Sequence, residues 1–218
     1  MRANIRKKNY CDNFFVLFLY FCAQMIYIND ETERIDLNLR LEELPPQRRE
    51  QALRFKHEQG RRLCVAAYLL LQEGLRMEYG ISEPPILGYY EGGKPYIMGH
   101  QEIHFNLSHC QAGALCGLSS RPIGVDMETI RPFKESLARY TMNDEEMEQI
   151  LGSPSPEVAF TRLWTMKESL LKLTGKGIGN DLRSVLAEHR HDVSHTTVVH
   201  SSRQYVYSIC EWKEGISV

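Results

Sequence analysis

The sequence lacks several features that would point at once to a function class. Its 26 basic and 28 acidic residues leave a formal net charge of only -2. Because nucleic-acid-binding proteins depend on concentrated positive charge, we expect no nucleic-acid partner. The chain also lacks internal repeats and low-complexity linkers, so its 218 residues are predicted to form one sizeable globular unit or two small ones.

Cysteine is present, but without the spacing of a metal site. None of the six cysteines belongs to a Cys-x-x-Cys pair, and several lie in apolar runs. This usage favours reduced, buried thiols in a cytoplasmic protein. Cys110 follows His109, but one adjacent pair is poor evidence for a thiol nucleophile, and we interpret Cys110 as a small residue that fills space.

Two acidic elements are the most informative part of the sequence. The apolar run through Ile123 and Val125 predicts a buried strand, whose period of two turns Asp126 and Glu128 to one side. Further on, Glu168 and Lys172 are four residues apart in a helical pattern and share a face.

Together these residues offer three carboxylates and one ammonium. Such hard oxygen ligands suit magnesium, which completes its coordination with waters and substrate phosphate oxygens. Each element also has an ordinary interpretation. Asp126 and Glu128 could form the solvated side of an edge strand, and Glu168 and Lys172 a surface ion pair contributing about 0.3–0.5 kcal/mol.

Two upstream segments carry groups that can bind an anion. Ser108 and His109 stand at the end of one apolar stretch, just before a second one, where their side chains could donate to phosphate oxygens. Lys94 lies in a Gly-Gly-Lys-Pro turn, beside a proline that fixes the backbone. Taken singly, Lys94 could be a solvated hairpin tip and His109 a structural histidine.

In order and spacing, these segments resemble the 4'-phosphopantetheinyl transferases, specifically the surfactin-synthetase-activating (Sfp) type. The resemblance covers about residues 93–178 and is strong because four ordered motifs agree. The matching segments are Gly93-Lys94-Pro95, Phe105-Asn106-Leu107-Ser108-His109, Gly124-Val125-Asp126-Met127-Glu128, and Trp164 to Lys172 with the trailing Gly175-Lys176-Gly177-Ile178.

The resemblance implies an α/β fold of two similar subdomains related by a pseudo-twofold axis. Coenzyme A would bind in the active-site cleft between the subdomains. On this basis we expect an N-terminal subdomain at residues 25–120 and a C-terminal one at residues 121–218, joined by a turn near residues 119–122.

The implied reaction is holo-[acyl-carrier-protein] synthesis. A 4'-phosphopantetheine group moves from coenzyme A to a serine of an apo acyl or peptidyl carrier protein, releasing adenosine 3',5'-bisphosphate. The implied Mg²⁺ ligands are Asp126, Glu128 and Glu168. Glu168 could instead act as the base that accepts the serine proton, directly or through water, and the sequence leaves both roles open.

The same resemblance assigns the positive and donor groups. Lys172 would offset charge on the pyrophosphate, while His109 and Ser108 would donate hydrogen bonds to it. Lys94 would approach the nucleotide phosphates. Met127, between the two acids of its strand, points to the opposite side and is predicted to lie in the core.

A basic segment just before a long predicted helix is a second candidate for coenzyme A binding. In the proteins it resembles, an equivalent segment meets the 3'-phosphate. Here the register slips by about one residue, so Lys56, Arg61 and Arg62 all remain candidates, with Arg62 the best single choice. A solvated face of an amphipathic helix explains any one of them equally well.

The carrier protein would dock between the two acidic motifs, at about residues 131–151. This segment offers positive charge from Arg131, Lys134 and Arg139, and apolar side chains that could form either a contact face or core: Phe133, Leu137, Met142 and Met147. The resemblance further implies a monomer. Two other classes stay open: a magnesium-dependent phosphohydrolase or nuclease, and a non-catalytic carrier-binding module.

The N-terminus does not fit a cytoplasmic enzyme. Basic residues precede the apolar run Phe14 to Ala23, as in a secretory signal, and the run is too short for a comfortable membrane span. We expect no membrane partner. Because a plausible first strand begins at Met25, we hypothesise that translation starts there and that residues 1–24 are a non-native extension.

The rest of the chain is predicted to alternate helices and strands. Predicted helices cover residues 45–57, 60–78, 137–140, 144–151 and 156–174. Predicted strands cover residues 25–28, 103–106, 112–118, 122–128, 183–187, 196–200 and 204–212, with a hairpin at 86–97.

Overall fold

The computed structural model describes residues 4–10, 14–21, 24–175 and 182–216. Helices and antiparallel sheets alternate along the chain, which confirms the α/β fold class. The strands are β1 (Asn4–Tyr10), β2 (Phe14–Phe21), β3 (Gln24–Asn29), β4 (Leu87–Tyr89), β5 (Pro95–Ile97), β6 (His104–Cys110), β7 (Gly113–Ser119), β8 (Ile123–Thr129), β9 (Val193–His200) and β10 (Tyr205–Trp212). The α-helices are α1 (Leu37–Glu43), α2 (Pro46–Leu53), α3 (Glu58–Tyr79), α4 (Glu135–Thr141), α5 (Asp144–Leu151), α6 (Pro156–Thr174) and α7 (Val185–Glu188).

The strands form two main sheets and a hairpin. The first sheet has the order β1-β2-β3-β7-β6, and the second has the order β8-β10-β9. All pairs are antiparallel, and β4 and β5 pair as a separate two-stranded ribbon. The second sheet begins after the turn that follows β7, at the predicted junction near residues 119–122. The two-subdomain division and its pseudo-twofold axis stay predictions.

Helix α3 builds the core against the first sheet. Every residue from Leu63 to Tyr68 is buried, so this part of the helix is enclosed on all sides. Tyr68, Leu70 and Leu71 have no exposed surface and join the same cluster as Tyr27 and Leu118. The helix ends at Gly80, whose φ of 68° is the left-handed conformation that glycine adopts at helix ends.

Strand β8 lies between the first sheet and helix α6. Ile123, Val125 and Met127 point into a core shared with Ile26 and Leu115, which confirms the prediction that Met127 is a core residue. The alternate residues of β8 face α6. A Cβ added to Gly124 would lie only 2.0 Å from the Ser169 carbonyl oxygen, so strand and helix are in backbone contact.

Two side chains join the sheets where β6 meets β8. Asn106 Oδ1 accepts the Val125 N–H at 2.8 Å, and Ser108 Oγ accepts the Met127 N–H at 3.2 Å. Because residues two apart on a strand face the same side, the Asn-x-Ser spacing matches two alternate amides of β8. We call this junction the side-chain seam.

Most predicted elements are confirmed, including the strand at 25–28 and the helix at 156–174. The predicted strand at 183–187 is wrong, because α7 forms there. Val185 and Leu186 both pack with the Leu170 cluster, which one helical turn permits and an alternating strand does not. The turn is reinforced by a hydrogen bond from the Ser184 hydroxyl to the Glu188 carboxylate.

The N-terminal backbone forms strands that the sequence does not predict. β1 pairs with β2, and β2 pairs with β3, so the sheet extends beyond the strand at Met25. The hypothesis of a translation start at Met25 stays a prediction. Among the described helices, none combines the length and apolar character needed to cross a membrane.

Candidate active site

The centre of the site is Asp126, a carboxylate that is only 3% exposed. Its Oδ1 accepts hydrogen bonds from the Ser108 hydroxyl at 2.9 Å and from the Lys172 ammonium at 2.6 Å. Lys172 Nζ also lies 3.1 Å from Ser108 Oγ. Three of the predicted site residues, from β6, β8 and α6, therefore meet at one point.

Local rules explain why these side chains meet. On β8 the period of two sends Asp126 and Glu128 to the side of α6, opposite the core. On α6, Glu168 and Lys172 are one turn apart and share a face. Helix α6 begins with Pro156 in its first turn and ends at Gly175, whose φ is 70°.

Burial and neighbouring acidic charges raise the pKa values of Glu128 and Glu168. Burial raises the pKa of Glu128 to about 7, and the charges of Asp126 and Glu168 contribute in the same direction against Lys172 and Arg131. Burial, followed by the charge of Asp126, also raises the pKa of Glu168, and Lys172 opposes this shift. Three carboxylates therefore face the charges of Lys172 and Arg131, an arrangement that favours binding a further cation.

Two carboxylate oxygens in this group can accept a cation. Asp126 Oδ2 and Glu168 Oε1 are buried and have no hydrogen-bond partner among the described residues. Within the same described ranges, no three His, Cys, Asp or Glu side chains form a metal-binding cluster on their own. Magnesium does not require such a cluster, because it commonly uses one or two carboxylates together with water and substrate phosphates. The donor set therefore fits magnesium.

His109 lies next to this centre, and its ring packs edge-on against Phe55 with the centroids 5.9 Å apart. Burial lowers the pKa of His109, and the charges of Lys172 and Arg48 lower it further. His109 is therefore neutral near pH 7, and a neutral imidazole carries one ring N–H donor.

Arg48, on α2, is a positive group near His109 that the sequence analysis missed. Its guanidinium lies 5.5 Å from the centroid of the Tyr68 ring and donates to the Cys64 carbonyl at 3.1 Å. Its charge reaches His109 and contributes to the lowered pKa of that residue. The sequence signal that could have identified Arg48 was the pair Arg48-Arg49 early in a predicted helix. Such a pair is equally typical of a solvated helix face.

The other predicted basic residues bond to protein groups or are exposed. Arg61 donates to the Phe55 carbonyl at 2.9 Å, and Arg62 donates to the carbonyls of Glu33 and Ile35 and to the Glu58 carboxylate. Lys56 is exposed. Their predicted contact with a 3'-phosphate stays a prediction.

Lys94 reaches the site from the β4–β5 hairpin, but its ammonium bonds to protein. Nζ donates to the Leu173 carbonyl at 2.9 Å and to the Ile123 carbonyl at 3.3 Å. The trailing Lys176, Gly177 and Ile178 of the last motif lie outside the described residues.

Two cavities border the acidic centre. One of about 220 Å³ is lined by residues of the hairpin, β6 and α6, among them Lys94, Asn106, Glu168 and Lys172. A second of about 420 Å³ is lined by residues that include Glu128, Arg131, Lys134 and Trp164. The site can thus receive ligands from the side of Glu168 and from the side of Glu128.

The chain is similar in sequence to known proteins of one family. A sequence profile described as the 4'-phosphopantetheinyl transferase superfamily matches residues 122–215. The chain is 30% identical over 179 residues to the 4'-phosphopantetheinyl transferase psf-1 of Bacillus pumilus, an alignment that covers 79% of this chain and 75% of the relative.

Two further relatives are matched over shorter stretches. Identity to the 4'-phosphopantetheinyl transferase Sfp of Bacillus subtilis (strain 168) is 31%, over 65% of this chain and 64% of the relative. Identity to HetI, a 4'-phosphopantetheinyl transferase of Nostoc sp., is 36%, over 58% of this chain and 57% of the relative. The chain therefore spans just under two thirds of the length of the Bacillus subtilis Sfp relative.

Proposed function

This chain belongs to the 4'-phosphopantetheinyl transferase superfamily, and from that membership we propose that it transfers 4'-phosphopantetheine from coenzyme A to a serine of an apo acyl or peptidyl carrier protein. The observation that carries the proposal is the contact of Ser108, Asp126 and Lys172 beside two further carboxylates. A cation-binding acid group next to an ammonium is what a pyrophosphate substrate needs.

The reaction is a displacement at phosphorus. The carrier serine oxygen bonds to the phosphorus that bears pantetheine, the bond from that phosphorus to the bridging oxygen breaks, and adenosine 3',5'-bisphosphate leaves. Negative charge grows on the bridging oxygen and the departing phosphate. Lys172 would neutralise part of it, and neutral His109 would donate a hydrogen bond. The Ser108 hydroxyl, which here donates to Asp126 Oδ1, would donate to the phosphate only by turning away from Asp126.

Magnesium, held by Asp126, Glu128 and Glu168, would neutralise the pyrophosphate charge. The unpartnered oxygens of Asp126 and Glu168 support this assignment. The serine proton requires an acceptor, and Glu168 is suited to this role as well, because its raised pKa makes it a stronger base than an ordinary glutamate. Both roles of Glu168 are part of the proposal.

We assign carrier docking to the surface beside Glu128. The 420 Å³ cavity there is lined by Arg131, Lys134 and Leu137 together with aromatic side chains of α6. Its basic rim and apolar floor suit an acidic, amphipathic helix of a carrier. Met142 and Met147 are buried, so their interpretation as a contact face is corrected to core packing.

Replacing Lys134 with glutamate tests the docking surface. We expect the KM for the carrier to rise about tenfold, because the new charge repels an acidic partner, while the KM for coenzyme A stays unchanged. Arg139→Glu is the matched control, because Arg139, although predicted among the docking charges, does not line this cavity and pairs with Glu135. Equal effects of both substitutions, or no effect of Lys134→Glu, would contradict this docking surface.

The proposed activity is tested by incubating the protein with coenzyme A, Mg²⁺ and a panel of apo carrier proteins. We expect a carrier to gain the mass of phosphopantetheine, with an equal amount of adenosine 3',5'-bisphosphate released. A phosphohydrolase would consume coenzyme A without modifying a carrier, and a non-catalytic module would leave both unchanged. We further propose that the protein is a monomer and that it acts in the cytoplasm, where coenzyme A is available.

A further inference from the structure

The hydrogen bonds of Lys94 connect the hairpin to the end of helix α6. Its ammonium donates to two main-chain carbonyls, those of Leu173 in the last turn of α6 and Ile123 at the start of β8. The last carbonyls of a helix have no partner within the helix and carry partial negative charge, so an ammonium at that position is favourable.

A second contact fastens the same two elements. A Cβ added to Gly92 would lie 2.4 Å from the Gly175 carbonyl oxygen, so the hairpin tip and the helix end touch through their backbones. Gly175 has a φ of 70° and ends α6 in the left-handed conformation. A residue with a side chain at position 92 would therefore collide with this helix end.

We propose that Lys94 is a positioning residue, which fastens the β4–β5 hairpin to the end of α6 and so holds Glu168 and Lys172 against Ser108 and Asp126. This inference rests on the proposed function and changes the role of Lys94. The resemblance implies that Lys94 approaches nucleotide phosphates, whereas the described contacts commit its ammonium to protein carbonyls.

The energetics of burial support a structural role. Burial lowers the pKa of Lys94 to about 8, with the nearby Cys210 opposing the shift. An ammonium in such a desolvated position depends on the Leu173 and Ile123 carbonyls for its hydrogen bonds. A substrate phosphate could bind Nζ only by drawing it away from both carbonyls.

The helix geometry explains the effect on the site. Lys172 precedes the bonded Leu173 by one residue, and Glu168 lies one turn earlier on the same helix. If the end of α6 is released from the hairpin, the Glu168 and Lys172 side chains are no longer held in fixed positions relative to Ser108 and Asp126. A displacement of about 1 Å in such groups costs on the order of 10²-fold in rate, and the smaller displacement caused by losing the Lys94 bonds alone costs correspondingly less.

Hydrogen exchange in the free protein tests the proposal without any substrate. In Lys94→Met we expect the amides of residues 170–175 to exchange about tenfold faster than in the unaltered protein, because the helix end opens more often. Gly92→Ala perturbs the backbone contact between the hairpin tip and Gly175, and it should accelerate exchange of the same amides. Lys213→Met, at an exposed lysine, is the matched control and should leave this segment unchanged.

Combining the two substitutions adds a further test. If Lys94 and Gly92 serve one contact, the double variant should exchange hardly faster than either single variant, because the contact can be lost only once. Fully additive effects would contradict a shared contact. Should Lys94→Met fail to fold, Gly92→Ala and Lys94→Arg carry the same measurements.

Binding and kinetics separate positioning from phosphate binding. For Lys94→Met we expect kcat to fall about tenfold, while the affinity for adenosine 3',5'-bisphosphate changes less than about threefold and keeps its salt dependence. Unchanged exchange together with a tenfold loss of affinity would overturn the proposal in favour of a phosphate contact. If the unaltered protein modifies no carrier, the proposed function fails, but the exchange result still decides the role of Lys94.

Discussion

Replacing Asp126 with asparagine is expected to lower the rate of transfer by roughly 10²–10³-fold without unfolding the protein. Asparagine keeps the shape of the side chain and can still accept the Ser108 hydroxyl. It removes the charge that pairs with Lys172 at 2.6 Å and the Oδ2 carboxylate oxygen that is free to bind a cation. Magnesium affinity should fall together with the rate.

The same substitution should also change the pH dependence of stability in the magnesium-free protein. Asp126 raises the pKa values of Glu128 and Glu168, so its negative charge opposes theirs in the folded state. With the folded pKa of Glu128 at about 7, the folded state binds more protons than the unfolded state between about pH 4.5 and 7. Stability from this group is therefore lost as pH rises through that window.

Asp126→Asn should reduce this loss. In the presence of a chelator, the Tm of the variant minus the Tm of the unaltered protein should therefore be more positive at pH 8 than at pH 5. The measurements are the transfer rate, magnesium titration and thermal unfolding at both pH values. Glu214→Gln, at an exposed glutamate, is the control and should change none of them. A fully active Asp126→Asn would remove the proposed site.

Replacing Gly124 with alanine is expected to cause the second large effect. The added Cβ would lie 2.0 Å from the Ser169 carbonyl oxygen and 2.5 Å from the Leu173 nitrogen, both main-chain atoms of α6. No side-chain rotation can relieve such a contact, so α6 must move away from β8. We expect a loss of about 1–3 kcal/mol in the free energy of unfolding.

Activity should fall further than this loss of stability explains. Helix α6 carries Glu168 and Lys172, so its displacement separates both from Asp126, and a decrease on the order of 10²-fold is expected at temperatures where the variant stays folded. Denaturant unfolding and the transfer assay measure the two effects. Gly152→Ala, where the nearest atom to the new Cβ is 3.1 Å away, is the control. Normal activity in Gly124→Ala would show that close packing of α6 on β8 is not needed.

Local rules were sufficient to predict much of the site. Strand alternation places Asp126 and Glu128 on one side of β8 and Met127 on the other. Helical spacing places Glu168 and Lys172 together on α6. These relations involve residues only a few positions apart, so a single sequence determines them once the element type is correct.

The remaining features depend on contacts between distant residues. The pairing of Lys172 with Asp126 depends on how closely α6 packs on β8, and the carbonyl partners of Lys94 depend on where the hairpin tip meets the helix end. The turn at Val185 is helical because the neighbouring side chains of Val185 and Leu186 both pack into the same core. The alternation of apolar and polar residues alone suggests a strand there. Periodicity describes one element and contains no information about such partners.

The side-chain seam between β6 and β8 has a consequence for how this fold can vary. In a continuous sheet, a change of twist on one side propagates through the main-chain ladder to the other. Here the boundary is crossed by the amide of Asn106 and the hydroxyl of Ser108. Twist therefore does not pass between the sheets through a main-chain ladder at this boundary, and we expect substitutions at these two positions to alter the angle between the sheets.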